Sequence, residues 1–230
     1  DVQAEQYEAN EADYPAVFGL LRTRRGFWDC PATVIAPQWA VTAGHCATAP
    51  RIAEALAAGG AHAVTIAGAD NAIDRVVQNP NGADVALLHL AHAVDGVEGV
   101  PLYSSDDETG RPVIMVGWGD TGDGVRGITG PDGRFRRATN VVDRAEADLL
   151  SWTFSEPGVE GSDATPLEGI SGPGDSGGPA FIEADGVLML AGVSSAQDPM
   201  GHARGSYGVR EYFVRVSAVR AWIEAEMARG

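Results

Sequence analysis

Ser176 lies inside Gly169-Ile170-Ser171-Gly172-Pro173-Gly174-Asp175-Ser176-Gly177-Gly178-Pro179, a stretch in which five of eleven residues are glycine. A serine becomes a nucleophile when a base lies within hydrogen-bond reach, an anion orients that base, and backbone donors face the developing oxyanion. Glycines on both sides of Ser176 permit a tight turn and close approach of a substrate backbone. The amides of Gly174 and Ser176 are placed to point into one concavity. The alternative is a glycine-rich loop with no chemistry.

Both partners such a serine needs occur upstream. His45 ends the apolar run Ala40-Val41-Thr42-Ala43-Gly44, and Cys46 follows it. Asp84 directly precedes the apolar Val85-Ala86-Leu87-Leu88. A carboxylate entering a core is costly unless paired, and the His45 imidazole is its obvious partner. Taken singly, the histidine could be structural and the aspartate a turn residue. The spacing Gly174-x-Ser176-x-Gly178 also fits the nucleophile elbow of α/β-hydrolases, in which acid and histidine follow the serine. Only His202 follows it here, with Asp185 and Asp198 between, and no alternation of helices and parallel strands comes before it. That fold is therefore disfavoured.

The elements that must position these groups are mostly strands. Short apolar runs separated by Gly, Pro and Asp turns cover residues 16–21, 32–36, 40–42, 63–66, 85–90, 113–116, 180–182 and 187–194, a pattern of barrels or sandwiches. A brief helix is expected over 51–58. The clearest helix runs over 218–228, with Ser217 as its cap and Val219, Trp222, Ile223 and Met227 on one face. Tyr103 to Arg111 reads as a linker between two halves. The segment from Gly119 to Gly169 reads as loop-heavy and acidic, with a solvated basic island at Arg134-Phe135-Arg136-Arg137.

Composition sets the outer bounds. With 230 residues, 44% hydrophobic, 30 Gly and 13 Pro, the chain can bury a real core rich in turns. Its 32 acidic residues outweigh 16 basic ones, all arginine, and the net charge of −16 argues against a nucleic-acid partner. We read the acidity as a solubility trait. No apolar run reaches the roughly 18 residues of a membrane span, so a soluble chain is expected, with any export signal removed or outside it. Cys30 and Cys46 are either two free thiols or a bridge that would contribute about 3 kcal/mol.

The order His45, Asp84, Ser176 and the wording around each resemble the chymotrypsin/trypsin family of serine endopeptidases. The matching blocks are CPATVIAPQWAVTAGHC (30–46), GADVALLHL (82–90), VGWGDTG (116–122) and GPGDSGGP (172–179) followed by Leu190 to Ser195. Together they span nearly the whole chain. The resemblance implies an all-β fold of two six-stranded antiparallel β-barrels with a C-terminal helix, divided as 1–105, 106–216 and 217–230. It implies a Cys30–Cys46 disulfide and secretion. His45 then matches the general base and acid, Asp84 the orienting carboxylate, and Ser176 the acylated nucleophile. Gly174 and Ser176 would donate the oxyanion-hole amides, and Ser195 matches the serine that backs the aspartate. The backbone of Ser195, Ala196 and Gln197 would pair with an extended substrate, while Ile170, Ser171 and Pro173 would line its pocket. The expected partners are a polypeptide substrate and a protein inhibitor or propeptide, with no cofactor, metal, nucleic acid or membrane, and the chain is expected to be a monomer.

Two departures stand out. In the family Asp175 matches a carboxylate that receives a new N-terminal amine, from a start with a hydrophobic pair and two glycines. Here the corresponding residues are Asp1-Val2-Gln3. An Asp1 carboxylate beside Asp175 is unfavourable, so Asp175 is expected to find another partner, or the functional N-terminus differs. In trypsin-like members an aspartate floors the specificity pocket six residues before the serine, where this chain has Ile170. Gly172 stands where a second disulfide's cysteine often lies. An apolar floor cannot repay the desolvation of Arg or Lys, which predicts cleavage after an apolar residue. Glu211 could reach the pocket wall and restore basic specificity. A catalytically silent binding protein and an esterase-like acyl hydrolase are the competing functions.

Overall fold

A computed structural model describes residues 4–230, so the expectation about a start at Asp1 to Gln3 lies outside the described residues. The first half forms β1 (Val17–Arg22), β2 (Trp28–Ala36), β3 (Trp39–Thr42), α1 (Gly44–Ala47), α2 (Pro50–Ala57), β4 (His62–Ile66), β5 (Ala69–Gln78) and β6 (Ala86–Leu90). The second forms β7 (Pro112–Gly117), β8 (Thr121–Asp123), β9 (Gly127–Gly130), β10 (Arg136–Val141), β11 (Arg144–Glu146), β12 (Leu149–Thr153), β13 (Pro179–Ala184), β14 (Val187–Asp198), β15 (Arg210–Arg215) and α3 (Val216–Arg229).

The first sheet has the order β1-β2-β3-β6-β5-β4, antiparallel throughout. It curls until its edge strands meet, where the His62 ring lies 3.0 Å from the Leu20 carbonyl, and the barrel is nearly closed. β3 and β6 are almost wholly buried because one face, with Ala40, Leu88 and Leu90, fills the first barrel and the other, with Trp39, Val41 and Leu87, packs against the second sheet. Turns whose residues take positive φ close the hairpins, Ala67-Gly68 for β4–β5 and Asp185-Gly186 for β13–β14.

The second sheet is a half-barrel of seven strands rather than six, in the order β10-β7-β13-β14-β15-β12-β11. The extra strand, β11, is a three-residue edge whose outward residues are charged and whose pattern is too short to read in advance. The same reason explains the reading of 119–169 as loop. Its strands are short and polar on one face, yet Leu150 and Trp152 of β12 are fully buried. The basic island is likewise no solvated loop: Phe135 is buried, and Arg136 opens β10 while pairing with Asp132.

One apolar cluster joins the two sheets. Ile35, Trp39, Val41 and Leu87 from the first meet Trp118, Phe135, Phe181 and Val193 from the second, and Val219 and Ile223 of α3 seal it. Ser217 does not cap α3. Arg215 occupies the cap position, and the Ser217 hydroxyl donates instead to Glu108 at 2.5 Å. Glu108 is wholly buried and paired with Arg215, so the Tyr103–Arg111 connector is pinned to the second sheet. Among the described residues no helix is long and apolar enough to cross a membrane.

Candidate active site

His45 sits on the single turn α1, immediately after the wholly buried β3. Asp84 lies just before β6, the neighbour of β3 in the sheet, so strand pairing brings the two together. His45 Nδ1 is 2.8 Å from Asp84 Oδ2, and the His45 backbone N–H donates to Asp84 Oδ1 at 2.8 Å. Gly44 makes room for this approach. A Cβ there would stand 2.8 Å from Gln78 Oε1 and 3.1 Å from Asp84 Oδ1. Gln78 also donates to the Gly44 carbonyl at 3.0 Å, bracing α1, and nothing in its sequence context marks that role.

Ser195 donates to Asp84 Oδ2 at 2.7 Å. It can do so because the β14–β15 register shifts between Ser194 and Ala196, and such a bulge re-aims one side chain. Burial pushes the Asp84 pKa up, but the bonds from the His45 ring, Ser195 and the His45 N–H outweigh it and hold the carboxyl below its usual value. The hydrogen bond to Asp84 raises the His45 pKa above 6.5, against a smaller downward pull from burial.

Ser176 lies on the turn leading into β13. Around it the loop is heavily tied: Asp175 N donates to Gly172 O, Gly177 N to Ser194 O and Gly178 N to Asp175 O, at 2.8–3.0 Å. The N–H groups of Gly174 and Ser176 donate to nothing among the described residues. Gly177, at φ +84°, packs so closely that a Cβ would lie 2.1 Å from Thr42 Oγ1. The side chain of Cys46 touches the Ser176 carbonyl at 3.3 Å, which places α1 against this loop. No hydrogen bond joins Ser176 to the His45 ring among the described residues. In unliganded sites such bonds are commonly long and tighten with substrate.

Asp175 turns away from Ser176. Its carboxylate accepts the N–H groups of Gly119 at 2.7 Å and Gly172 at 2.9 Å. Gly117 and Gly119 have no Cβ because the Asp175 oxygens would lie 2.0 and 2.3 Å from one, which gives the Gly117-Trp118-Gly119 motif its physical reason. Burial pushes the Asp175 pKa up to about 6. Asp175 keeps some exposure through a cavity of about 880 Å³ behind the loop, which tempers that push. Neither His45 nor Ser176 lines this cavity.

A smaller pocket of about 170 Å³ opens beside the serine, its lining including Ser171, Pro173, Ser176, Ala196, Gln197 and the cationic Arg204, together with Gly172 and Ser195. Ile170 is not in its wall. It packs against the second sheet's core and faces the larger cavity. Gly172 leaves space filled by Asp120 O, which would lie 2.2 Å from a Cβ. Behind the pocket stands Glu211, fully buried, which accepts the Ser171 N–H at 2.7 Å, the Ser171 hydroxyl, and a long bond from Gln197 at 3.4 Å. Burial pushes its pKa up to about 7 despite these donors.

Cys30 and Cys46 form a disulfide. Their sulfurs and the His45 ring lie within 4.8 Å of one another, a metal-like cluster, but a disulfide offers no thiolate ligand.

The trypsin family model matches residues 3–223. Two Corynebacterium glutamicum proteins, "Putative peptidase Cgl1093" from strain ATCC 13032 and "Uncharacterized peptidase" from strain R, are each 29% identical over 181 residues, 76% of this chain. The chain spans 56% of the length of those relatives. With two curled antiparallel sheets, a C-terminal helix and a family match over nearly its whole length, the chain belongs to the trypsin family.

Proposed function

We propose that the chain is a secreted serine endopeptidase working through an acyl-enzyme. The observation that carries this reading is a juxtaposition: the turn that holds an imidazole fixed by Asp84 touches, through Cys46, a loop whose Gly174 and Ser176 N–H groups are uncommitted. Ser176 Oγ attacks the scissile carbonyl while His45 Nε2 takes its proton. Asp84 holds the tautomer with Nδ1–H and stabilises the imidazolium, and the two free N–H groups receive the oxyanion. His45 then protonates the leaving amine, and water repeats the sequence to release the acid. No metal or cofactor enters this scheme.

β13 pairs with β14 only as far as Val193, which leaves the edge at Ser195, Ala196 and Gln197 free to take an extended polypeptide as an added strand. The pocket beside Ser176 is lined mostly by small neutral residues, with Arg204 also at its wall, which favours an apolar residue before the scissile bond over Lys or Arg. Glu211 modifies this: while protonated it leaves the pocket neutral, and once ionised it lends negative charge that admits Lys or Arg. The disulfide suits an oxidising compartment, in keeping with a protein outside the cytoplasm.

Turnover of unstructured polypeptides and matched peptide and ester substrates, by wild type and Ser176→Ala, tests the proposal. Serine-dependent peptide cleavage supports it. Ester turnover without peptide turnover would favour an acyl hydrolase, and no turnover of either a binding protein.

A further inference from the structure

Gln197 of β14 and Glu211 of β15 are directly opposed partners in the antiparallel ladder, so their side chains leave the same face of the sheet and meet. Gln197 lines the pocket beside Ser176, whereas Glu211 is fully buried and takes no part in its wall. The Gln197 carboxamide is tied down at its nitrogen. Nε2 donates to the Ser171 carbonyl at 2.5 Å and, in a longer bond, to Glu211 Oε1 at 3.4 Å. A backbone carbonyl only accepts, so the bond to Ser171 fixes which end of the amide is the nitrogen. Ser171, the other pocket residue that reaches Glu211, adds its N–H at 2.7 Å and its hydroxyl to the same carboxylate. The amide therefore ties β14 to the segment that leads to Ser176, and it lies against the carboxylate on the pocket's side.

We infer that the Gln197 side chain is a selectivity gate: it covers Glu211, keeps a substrate side chain out of contact with that carboxylate, and so turns away Lys and Arg. The inference rests on the reading of Ser176 as nucleophile and of the pocket beside it as the seat of the residue before the scissile bond. A guanidinium or ammonium entering the pocket meets a carboxamide where a carboxylate would repay its desolvation. To pair with Glu211 it must displace Nε2, which costs the bond to Ser171. An apolar side chain needs no displacement and packs against the amide as it stands. The cover also keeps the pocket shallow, at about 170 Å³ against the roughly 300–1,000 Å³ of ordinary ligand pockets. The charged residue in the lining itself, Arg204, is exposed and opposes cations whether or not the gate is present. In the gated protein an ionised Glu211 acts on a cationic substrate only through the amide.

The test is Gln197→Ala, which keeps the backbone and removes the cover, beside Glu211→Gln and the double variant. Gln197→Ser takes its place if the alanine variant does not fold. Peptides that differ only in Leu or Arg before the scissile bond are compared at pH 8.5, above the Glu211 pKa of about 7. Uncovering the carboxylate should raise the Arg-to-Leu ratio of kcat/KM by about tenfold or more, and the gain should vanish in Gln197→Ala/Glu211→Gln. An unchanged ratio in Gln197→Ala overturns the gate, as does a gain that persists in the double variant. A second measurement needs no turnover. With Ser176→Ala in every protein, propylguanidine titrated by NMR at pH 8.5 should bind about tenfold more tightly once Gln197 is alanine, and equal affinities overturn the gate. Should wild type cleave neither peptide, the nucleophile reading falls, and the propylguanidine comparison alone judges the gate.

Discussion

Asp84 grips His45 twice, with Oδ1 on the backbone N–H and Oδ2 on ring Nδ1, each at 2.8 Å. The first bond sets the turn that carries the imidazole, and the second selects which ring nitrogen faces the cleft. Asp84→Asn keeps the shape but can present an N–H to Nδ1 and stabilise the wrong tautomer. We expect kcat to fall on the order of 10³–10⁴-fold, with KM little changed and the melting temperature near wild type. Ser195→Ala removes one bond to the same carboxylate and should cost about tenfold in kcat. Steady-state kinetics on both variants check this.

The pH dependence of catalysis follows from the same pair. Asp84 raises the His45 pKa above 6.5, and under the proposed mechanism only neutral His45 could accept the Ser176 proton. The acid limb of kcat/KM should therefore have its midpoint above pH 6.5 in wild type and move lower in Asp84→Asn, as a pH–rate profile of both would show.

Glu211 makes stability depend on pH in the direction opposite to an ion-paired carboxylate. Its folded pKa is about 7 against 4.5 for the free side chain, so between those values the folded state holds a proton that the unfolded state has released. Stability from this group is full below pH 4.5 and is lost progressively up to pH 7, by on the order of 3 kcal/mol. Denaturant melts from pH 5 to 8 should show this fall in wild type and a flatter profile in Glu211→Gln. A wild-type slope retained in full by the variant would assign the effect elsewhere.

Substrate preference should follow the same titration. Peptides ending in Leu or Phe should be cleaved well at pH 6, and those ending in Lys or Arg should gain relative to them by pH 8.5. Glu211→Gln should abolish that gain. Cleavage after Arg alone at every pH would refute the neutral pocket.

Glu108 joins the connector to the start of α3 by accepting from Arg215 Nε, Arg215 Nη2 and Ser217 Oγ, all while fully buried. Those bonds outweigh the effect of burial and hold its pKa below the usual carboxylate value. Breaking a buried pair strands the other charge, so Glu108→Ala should destabilise by about 3–5 kcal/mol without altering the cleft. Chemical denaturation combined with kcat at low temperature separates the two effects.

The candidate site residues stand out in the sequence because the proposed chemistry needs particular residue types in short fixed contexts: a histidine closing an apolar strand, an aspartate opening one, a serine among glycines; of these the structure joins His45 to Asp84 by hydrogen bonds. The two-sheet architecture was legible through its apolar runs. What stayed hidden depends on contacts between distant segments. β10 to β12 are short and half polar, and they become strands only because β7 offers an edge to β10, β15 one to β12, and β12 in turn one to β11. Ser217 looks like a helix cap until Glu108, distant in sequence, claims its hydroxyl. Ile170 reads as a pocket floor by counting from Ser176, yet the backbone turns it to the other cavity and leaves Glu211, from β15, behind the pocket.

The most direct test of the central claim is intact-mass analysis and peptide mapping after treatment with a fluorophosphonate probe. The account predicts a single adduct on Ser176, formed faster as pH rises through the His45 titration, blocked by prior peptide boronate and absent from Ser176→Ala. A folded wild-type protein that takes no adduct on Ser176, or labels equally when Ser176 is alanine, would contradict it.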